Sequence, residues 1–221
     1  MEKFFPPSKT MVTGNPVRNT IVNSKITKQE AVDFFGLDLS KPIVLVTGGS
    51  LGARGINEAI AAKIDQFPAN GLQLIWQTGK GFNDRAKQQA EGKTGIWAND
   101  FITKMEFAYA AADIVVSRAG AMALAELCVV KKPAVLVPFP FAAEDHQTAN
   151  AMKLVNKNAG LLVTDKDAAD KLVETVIALA KDNTRQNELI NNISKLSVTN
   201  ADEVIAKEIL RASKVLLNDG E

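Results

Sequence analysis

Apolar and polar positions follow two different periods along this chain. Short runs of aliphatic and β-branched residues recur through the sequence, and the clearest is Ile43-Val44-Leu45-Val46. Uninterrupted runs of this kind are typical of strands buried on both faces of a parallel sheet. The predicted strands cover residues 43–46, 72–77, 95–98, 113–116, 134–137 and 160–163.

Helical patterns separate these runs. Thr27 and Glu30 have the spacing of a capping box, which predicts a helix beginning there, and Gly36 can end it. Ahead of this helix, Thr10-Met11-Val12-Thr13 predicts a short strand and Gly14-Asn15-Pro16 a turn. The predicted helices cover residues 27–35, 83–90, 105–111, 121–129, 148–156, 167–179, 184–196 and 201–217, and a further one begins near Ile56.

Strands and helices alternating about six times indicate an α/β fold. We expect a doubly wound, Rossmann-like parallel sheet with helices on both faces. Ligands of such sheets bind outside the carboxyl ends of the strands, where the strand order reverses. The loops in which to search for a site therefore follow Val46, Gln77, Trp97, Val116 and Val137.

Composition narrows the possible function classes. The 221 residues are 46% hydrophobic and 23% charged with a net charge of +1, which excludes a disordered or fibrous chain and supplies no general attraction to nucleic acid. One cysteine and one histidine exclude a disulfide framework and a Cys- or His-rich metal site. Residues 1–7 lack the apolar core of a signal peptide, and no apolar run approaches membrane-spanning length. A cytoplasmic protein is the expectation.

The loop after the first strand is rich in glycine. In Gly48-Gly49-Ser50-Leu51-Gly52, backbone N–H groups and the start of the next helix can face an anion, and Ser50 can add a hydroxyl donor. The loop matches neither the dinucleotide-binding glycine pattern nor a Walker A motif. A phosphate site and tight strand–helix packing explain its glycines equally well.

The loop after Val116 leads through small residues into a helix that carries Glu126. Its helix start favours phosphate, and a carboxylate nearby can accept hydrogen bonds from both ribose hydroxyls. A solvated helix residue is the alternative interpretation of Glu126, and the residue's chemistry alone favours that alternative.

The loop after Val137 contains the polar cluster Asp145, Gln147 and Thr148, whose side chains suit sugar hydroxyls. His146 is a candidate general base, but a structural or capping histidine is favoured because no orienting carboxylate is fixed by spacing. Cys128, between apolar helix residues, is predicted to be a buried and unreactive thiol.

Together these loops resemble the C-terminal half of the MurG family. That family consists of GT-B glycosyltransferases that transfer N-acetylglucosamine (GlcNAc) from UDP-GlcNAc to undecaprenyl-pyrophosphoryl-MurNAc-pentapeptide (lipid I), giving lipid II. The resemblance covers nearly the whole chain. The six motifs that carry it lie in order at residues 13–18, 48–54, 77–81, 101–105, 118–126 and 138–150.

The resemblance implies a role for each matched position. Arg18 resembles a diphosphate contact, and Ser50 a second phosphate contact. Ile102 is similar to the residue whose backbone reads the uracil edge, with Met105 beside it. The remaining matches are a phosphate-facing helix start at Ala121, Met122 and Ala123, the ribose ligand Glu126, and the GlcNAc contacts Gln147 and Thr148.

The same resemblance implies the surroundings of the domain. Residues 1–18 are expected to end an N-terminal domain and form a hinge, and residues 19–221 to form the UDP-GlcNAc-binding domain. The catalytic base, the lipid I site and the contact with the cytoplasmic membrane face are expected in that missing N-terminal domain. No catalytic residue is therefore assigned in this chain, and no cofactor, metal or nucleic-acid partner is expected.

Two other functions remain as alternatives. The chain could be a stand-alone nucleotide-sugar-binding subunit that needs a separate acceptor-binding partner, which predicts an exposed apolar face. A nicotinamide-dependent dehydrogenase is disfavoured by the glycine pattern.

Overall fold

The computed structural model describes Pro6, Ser8 and residues 10–218. Its strands are β1 (Ile43–Thr47), β2 (Gln73–Gln77), β3 (Ile96–Asn99), β4 (Ile114–Ser117), β5 (Ala134–Leu136) and β6 (Leu161–Leu162). Its helices are α1 (Asn19–Val22), α2 (Lys28–Phe35), α3 (Arg54–Ala62), α4 (Gln66–Ala69), α5 (Asn83–Ala90), α6 (Met105–Ala111), α7 (Ala121–Val130), α8 (His146–Val155), α9 (Ala168–Lys181), α10 (Asn183–Ser194) and α11 (Ala201–Asn218).

The six strands form one parallel sheet in the order β3-β2-β1-β4-β5-β6. Val46 of β1 lies opposite Trp76 of β2 on one side and Val116 of β4 on the other. The strand order therefore reverses between β1 and β4, which is where doubly wound sheets bind their ligands. The predicted fold class is confirmed.

Two apolar layers cover the two faces of the sheet. Side chains alternate along β1, so Ile43 and Leu45 join the layer that contains α1, α2, α6, α7 and α8. Val44 and Val46 join the opposite layer, which contains α3, α4, α5 and α9. Burial on both faces explains why β1 appears in the sequence as an unbroken apolar run.

The start of α2 confirms the predicted capping box. The Thr27 hydroxyl accepts a hydrogen bond from the Glu30 backbone N–H, and the Glu30 carboxylate accepts one from the Thr27 N–H at 2.8 Å. Gly36 ends the helix with a φ of 64°, a left-handed conformation that glycine adopts at little cost.

The strand predicted at residues 10–13 is wrong. These residues have no regular secondary structure, and no strand of the described chain lies beside them to share ladder hydrogen bonds. The chain there runs past the segment before α11: a Cβ on Gly14 would lie 3.0 Å from Val198 Cγ1. The short helices α1 and α4 escaped prediction because four residues carry too little periodicity.

Candidate functional site

A cavity of about 940 Å³ opens at the carboxyl edge of the sheet, where the strand order reverses. The loops after β1, β4 and β5 form most of its wall, and α6 and α7 close one side. Its lining residues are Arg18, 47–55, Glu58, Gln77, Phe101, Ile102, Met105, Tyr109, Ser117, Arg118, Gly120, Ala123, Glu126, Phe139, Pro140, Phe141, Gln147 and Asp165.

The glycine-rich loop after β1 has both features that its sequence allows, tight packing and a surface suited to a phosphate. A Cβ on Gly52 would lie 2.1 Å from the carbonyl oxygen of Thr78, so tight packing requires that glycine. Ser50 and Leu51, by contrast, are exposed at the cavity. The following helix begins after Ala53 with no side-chain cap, so its first N–H groups are available to an anion.

A second helix begins at the cavity. Helix α7 starts after Gly120, again without a side-chain cap. Ala123 lines the cavity, whereas the neighbouring Ala121 and Met122 lie outside its lining. The Asn15 side chain donates a hydrogen bond to the Ala121 carbonyl at 3.3 Å, which ties the segment before Arg18 to this helix.

Glu126 is anchored on both of its carboxylate oxygens. The Tyr109 hydroxyl donates to Oε2 at 2.8 Å, and Arg18 Nη2 lies 3.4 Å from Oε1. Only 14% of the Glu126 side chain is exposed, so the solvated-helix interpretation is wrong. Burial, and after it the negative charge of Glu126, raises the pKa of Tyr109 well above its ordinary value, so the phenol stays a donor.

Arg118 forms a second ion pair in the cavity wall, between two partly buried side chains. Its Nη1 donates to the carbonyls of Val137 and Pro138 at 3.1 and 3.0 Å, and lies 2.6 Å from Asp165 Oδ1 as an ion pair. Asp165 packs on the first turn of α3, where a Cβ on Gly55 would lie 2.6 Å from its Oδ1. The carboxylate thus neutralises Arg118 and faces the positive end of that helix.

Gln77, at the end of β2, joins two of the loops. Its side-chain nitrogen donates to the Gly49 carbonyl at 2.9 Å, and its side-chain oxygen accepts from the Ile102 N–H at 3.0 Å. Ile102 is 4% exposed and its N–H is already used. The backbone group that Ile102 retains for a ligand is its carbonyl oxygen, an acceptor.

Of the polar cluster after β5, Gln147 lines the cavity and Thr148 does not. The side-chain oxygen of Gln147 accepts hydrogen bonds from the N–H groups of Ala119 and Phe139, so it bridges the loops after β4 and β5. Thr148 follows it in the first turn of α8 but does not line the cavity. His146 begins that helix as an exposed residue, also outside the lining.

The cavity brings together most of the predicted site. Arg18, Ser50, Ile102, Met105, Ala123, Glu126 and Gln147 line it, whereas Ala121, Met122 and Thr148 do not. Sequence reasoning did not assign Arg54, Gln77, Tyr109, Arg118 or Asp165. For Gln77 and Arg118, a polar residue at the carboxyl end of a predicted strand was a usable signal.

Neither a metal centre nor a membrane span emerges from the described residues. Within Pro6, Ser8 and 10–218, no three His, Cys, Asp or Glu side chains cluster closely enough to hold a metal ion. None of the helices in that part of the chain has the length and apolar character needed to cross a bilayer.

A parallel sheet with a reversal of strand order, and two uncapped helix starts facing one cavity there, are typical of Rossmann-like domains that bind phosphate-containing ligands. The chain belongs to a family whose model, described as the glycosyltransferase family 28 C-terminal domain, matches residues 43–209.

Curated relatives share this domain. A protein of Parabacteroides distasonis is 46% identical over 96% of this chain and 58% of its own length, and one of Phocaeicola vulgatus is 44% identical over 96% and 57%. Both are named UDP-N-acetylglucosamine–N-acetylmuramyl-(pentapeptide) pyrophosphoryl-undecaprenol N-acetylglucosamine transferase. These identities and names confirm the resemblance to the MurG family. The chain spans less than two thirds of the length of either relative.

Solved structures share the fold. The crystal structure of Acinetobacter baumannii MurG superposes with a TM-score of 0.71 at 24% identity, over 89% of this chain and 59% of that one. A co-structure of S. aureus MnaA with UDP superposes with a TM-score of 0.64 at 15% identity, over 98% and 57%.

Proposed function

We propose that this chain is the donor-binding half of an inverting glycosyltransferase that moves GlcNAc from UDP-GlcNAc to lipid I, giving lipid II. The observation that carries the proposal is the meeting of two uncapped helix starts and the anchored Glu126 in one cavity. The names of the curated relatives supply the donor and the acceptor. Each relative carries the matched region within a longer chain, which does not favour the separate-subunit alternative.

The nucleotide is proposed to lie across the cavity. Its diphosphate faces Arg18, Ser50 and the helix starts of α3 and α7, where N–H groups and the helix dipole favour negative charge. Arg54, the first residue of α3, is a further candidate contact: among the described residues it forms no ion pair, and it lines the cavity.

The uridine is proposed to lie between Ile102 and Glu126. The Ile102 carbonyl suits the N–H of a uracil edge, because the Ile102 N–H is held by Gln77. Met105, 7% exposed, supplies apolar contact beside it. The Glu126 carboxylate accepts from the ribose hydroxyls.

The sugar is proposed to lie toward Gln147 and Thr148. The Gln147 side-chain oxygen is used on two backbone N–H groups, so its nitrogen is the group suited to a sugar hydroxyl. Thr148 is next to Gln147 in sequence but lies outside the cavity lining. Its proposed contact with a sugar hydroxyl is therefore bridged by a water molecule.

These contacts stabilise the departing group. In a single displacement at the anomeric carbon, the bond to the diphosphate breaks as the acceptor hydroxyl attacks, and negative charge grows on UDP. Once the nucleotide is bound and Arg18 has turned from Glu126 to the diphosphate, Arg18, Ser50 and the helix starts face that charge throughout the step. The acceptor site, the general base and the contact with the inner membrane face belong, in this proposal, to a preceding domain. Residues 1–18 form its end and the hinge, and residues 19–221 form the donor domain.

A thermal unfolding series with UDP-GlcNAc, UDP, CDP and NADH tests the proposal. A ligand at ~100 times its dissociation constant should add about 2.7 kcal/mol to the free energy of unfolding. We expect that stabilisation from UDP-GlcNAc and UDP, a weaker effect from CDP, whose ring lacks the N–H, and none from NADH. No stabilisation by millimolar UDP or UDP-GlcNAc would overturn the proposal.

A further inference from the structure

Tyr109 is a buried phenol in the cavity wall, and the proposed contacts with the nucleotide leave it unassigned. It lies on α6, is 3% exposed, and is the single tyrosine of the chain. Its hydroxyl donates to Glu126 Oε2 at 2.8 Å, across from α6 to α7. Buried tyrosine hydroxyls generally find one partner, and here the partner is a carboxylate assigned to the ligand.

The two contacts of Glu126 differ in strength and in exchangeability. The bond from Tyr109 is short and buried, whereas Arg18 reaches Oε1 from a side chain that is 54% exposed, at 3.4 Å. A long contact from an exposed arginine is weak and readily exchanged. A short bond from a buried donor to a charged acceptor is strong. Tyr109 therefore holds the Glu126 carboxylate in place through Oε2, whereas the partner of Oε1 can be exchanged for a ligand.

We propose that Tyr109 is a positioning residue, which holds the Glu126 carboxylate so that Oε1 is presented to the ribose hydroxyls of a uridine nucleotide. The inference rests on the proposed function and adds to it a residue that acts through Glu126. Arg18 contacts Oε1 at 3.4 Å. In the proposal the ribose hydroxyls take this position at Oε1, and Arg18 turns to the diphosphate.

The physical reason is competition for the carboxylate. A glutamate on a helix has several rotamers, and fixing one of them before the ligand arrives removes that entropic cost from binding. Without the phenol, the carboxylate can turn toward Arg18 and pair with it fully. Oε2 loses nothing by its bond to Tyr109, since each carboxylate oxygen has two acceptor positions.

Binding measurements on Tyr109→Phe test the proposal, because that variant keeps the buried ring and removes only the hydroxyl. We expect UDP-GlcNAc affinity by calorimetry to fall about tenfold, as for loss of a bond to a charged group. For 2′,3′-dideoxy-UDP, which has no ribose hydroxyls, wild type and variant should bind equally. In a Glu126→Ala background, Tyr109→Phe should have no further effect.

Thr27→Ala is the matched control. It removes a hydroxyl that caps α2, and Thr27 lies outside the cavity lining, so the change lowers stability without removing a contact of Glu126. Its UDP-GlcNAc affinity should equal that of wild type, which separates positioning from general destabilisation.

The single tyrosine also gives a spectroscopic test that does not depend on Tyr109→Phe folding. Biosynthetic replacement by fluorotyrosine labels only this position. Its fluorine NMR signal should move on addition of UDP-GlcNAc, and should not move in Glu126→Ala at the same ligand concentration.

Three results would overturn the inference: unchanged UDP-GlcNAc affinity in Tyr109→Phe, equal losses for UDP-GlcNAc and for 2′,3′-dideoxy-UDP in that variant, or a fluorine signal insensitive to bound UDP-GlcNAc. Each presupposes that wild type binds UDP-GlcNAc. Failure of wild-type binding itself would instead overturn the proposed function.

Discussion

At the residue scale, the three carboxylates of the cavity lining are held in ion pairs. Glu126 pairs with Arg18 at 3.4 Å and Asp165 with Arg118 at 2.6 Å. Glu58, the third carboxylate of the lining, pairs with an arginine outside it, Arg85, at 2.8 Å. In the proposed complex, a diphosphate therefore meets few uncompensated negative charges, and the proposed binding requires exchange of the Arg18 pair.

Glu126→Gln should weaken UDP binding without unfolding the chain. A neutral amide accepts from the ribose hydroxyls less strongly than a carboxylate, and we expect a loss of roughly 1.5 kcal/mol. Calorimetry with UDP measures it. Glu174→Gln is the control, because Glu174 is also a helix carboxylate in an ion pair, with Lys63 at 3.0 Å, but lies on α9 outside the cavity lining. Equal affinities for the two variants would contradict the assignment of Glu126.

Cys128 should make stability fall at alkaline pH. It is 6% exposed, and burial raises the pKa of its thiol from 9.0 to about 11. A raised pKa in the folded state means that the contribution to stability is complete below the unfolded pKa and is lost as the pH rises through the folded one. Denaturant unfolding from about pH 8 to about pH 10.5 should show a smaller loss in Cys128→Ala than in wild type. Parallel pH profiles would show that the thiol is not buried as described.

At the element scale, sequence pattern predicted regular elements well and their irregular connections poorly. The capping box at Thr27 and the apolar run of β1 placed α2 and β1 to within a residue, because local contacts determine both. Residues 10–13 have the composition of a strand. A strand also needs a neighbouring strand to pair with, and the local sequence does not show whether one is present. The glycine-rich loop left two interpretations because its packing partner, Thr78, lies on another loop.

The packing of that loop predicts the effect of Gly52→Ala. The residue has a φ of +78°, and its Cβ would meet the Thr78 carbonyl at 2.1 Å. We expect a cost of about 1 kcal/mol from the backbone conformation and a further 1–3 kcal/mol, roughly, from the contact. Gly71→Ala is the control, with a φ of +72° and nothing within 4 Å, and should show the first cost alone. Denaturant unfolding measures the loss of stability in each variant. Equal losses would contradict a packing role for Gly52.

At the scale of the whole molecule, the sheet decides which residues meet. The carboxyl edge of the sheet was predictable as the place of a site, because the loops that carry Ser50 and Glu126 follow the carboxyl ends of predicted strands. Which loops flank the reversal was not predicted, and the roles proposed for Ser50 and Glu126 came from the family resemblance. Asp165, two residues beyond the predicted strand 160–163, carried the same signal, whereas Tyr109 could not be found this way. Tyr109 is 17 residues from Glu126 on a different helix, and no local pattern reports a contact that only tertiary packing creates.

The proposed division of the active site between this chain and a preceding domain gives the last prediction: the 221-residue chain should bind UDP-GlcNAc but transfer no measurable GlcNAc to lipid I by itself. Glu58 and Asp165 are held in ion pairs, and Glu126 accepts from Tyr109 and, in the proposal, from the ribose, so none of these three lining carboxylates is suited to deprotonate an acceptor hydroxyl. Loss of a general base costs a factor of about 10² to 10⁴ in rate, and loss of acceptor positioning costs far more.

A transfer assay with radiolabelled UDP-GlcNAc and a lipid I analogue tests it, with the chain alone and with the N-terminal part of the Parabacteroides distasonis relative added in trans. We expect product only in the second mixture, and less of it when the chain carries Glu126→Ala. His146 is the residue that could reverse this expectation, since it is the single histidine and begins α8 beside Gln147. Turnover by the chain alone that disappears in His146→Ala would place the catalytic base in this domain and contradict the assignment of catalysis to a preceding one.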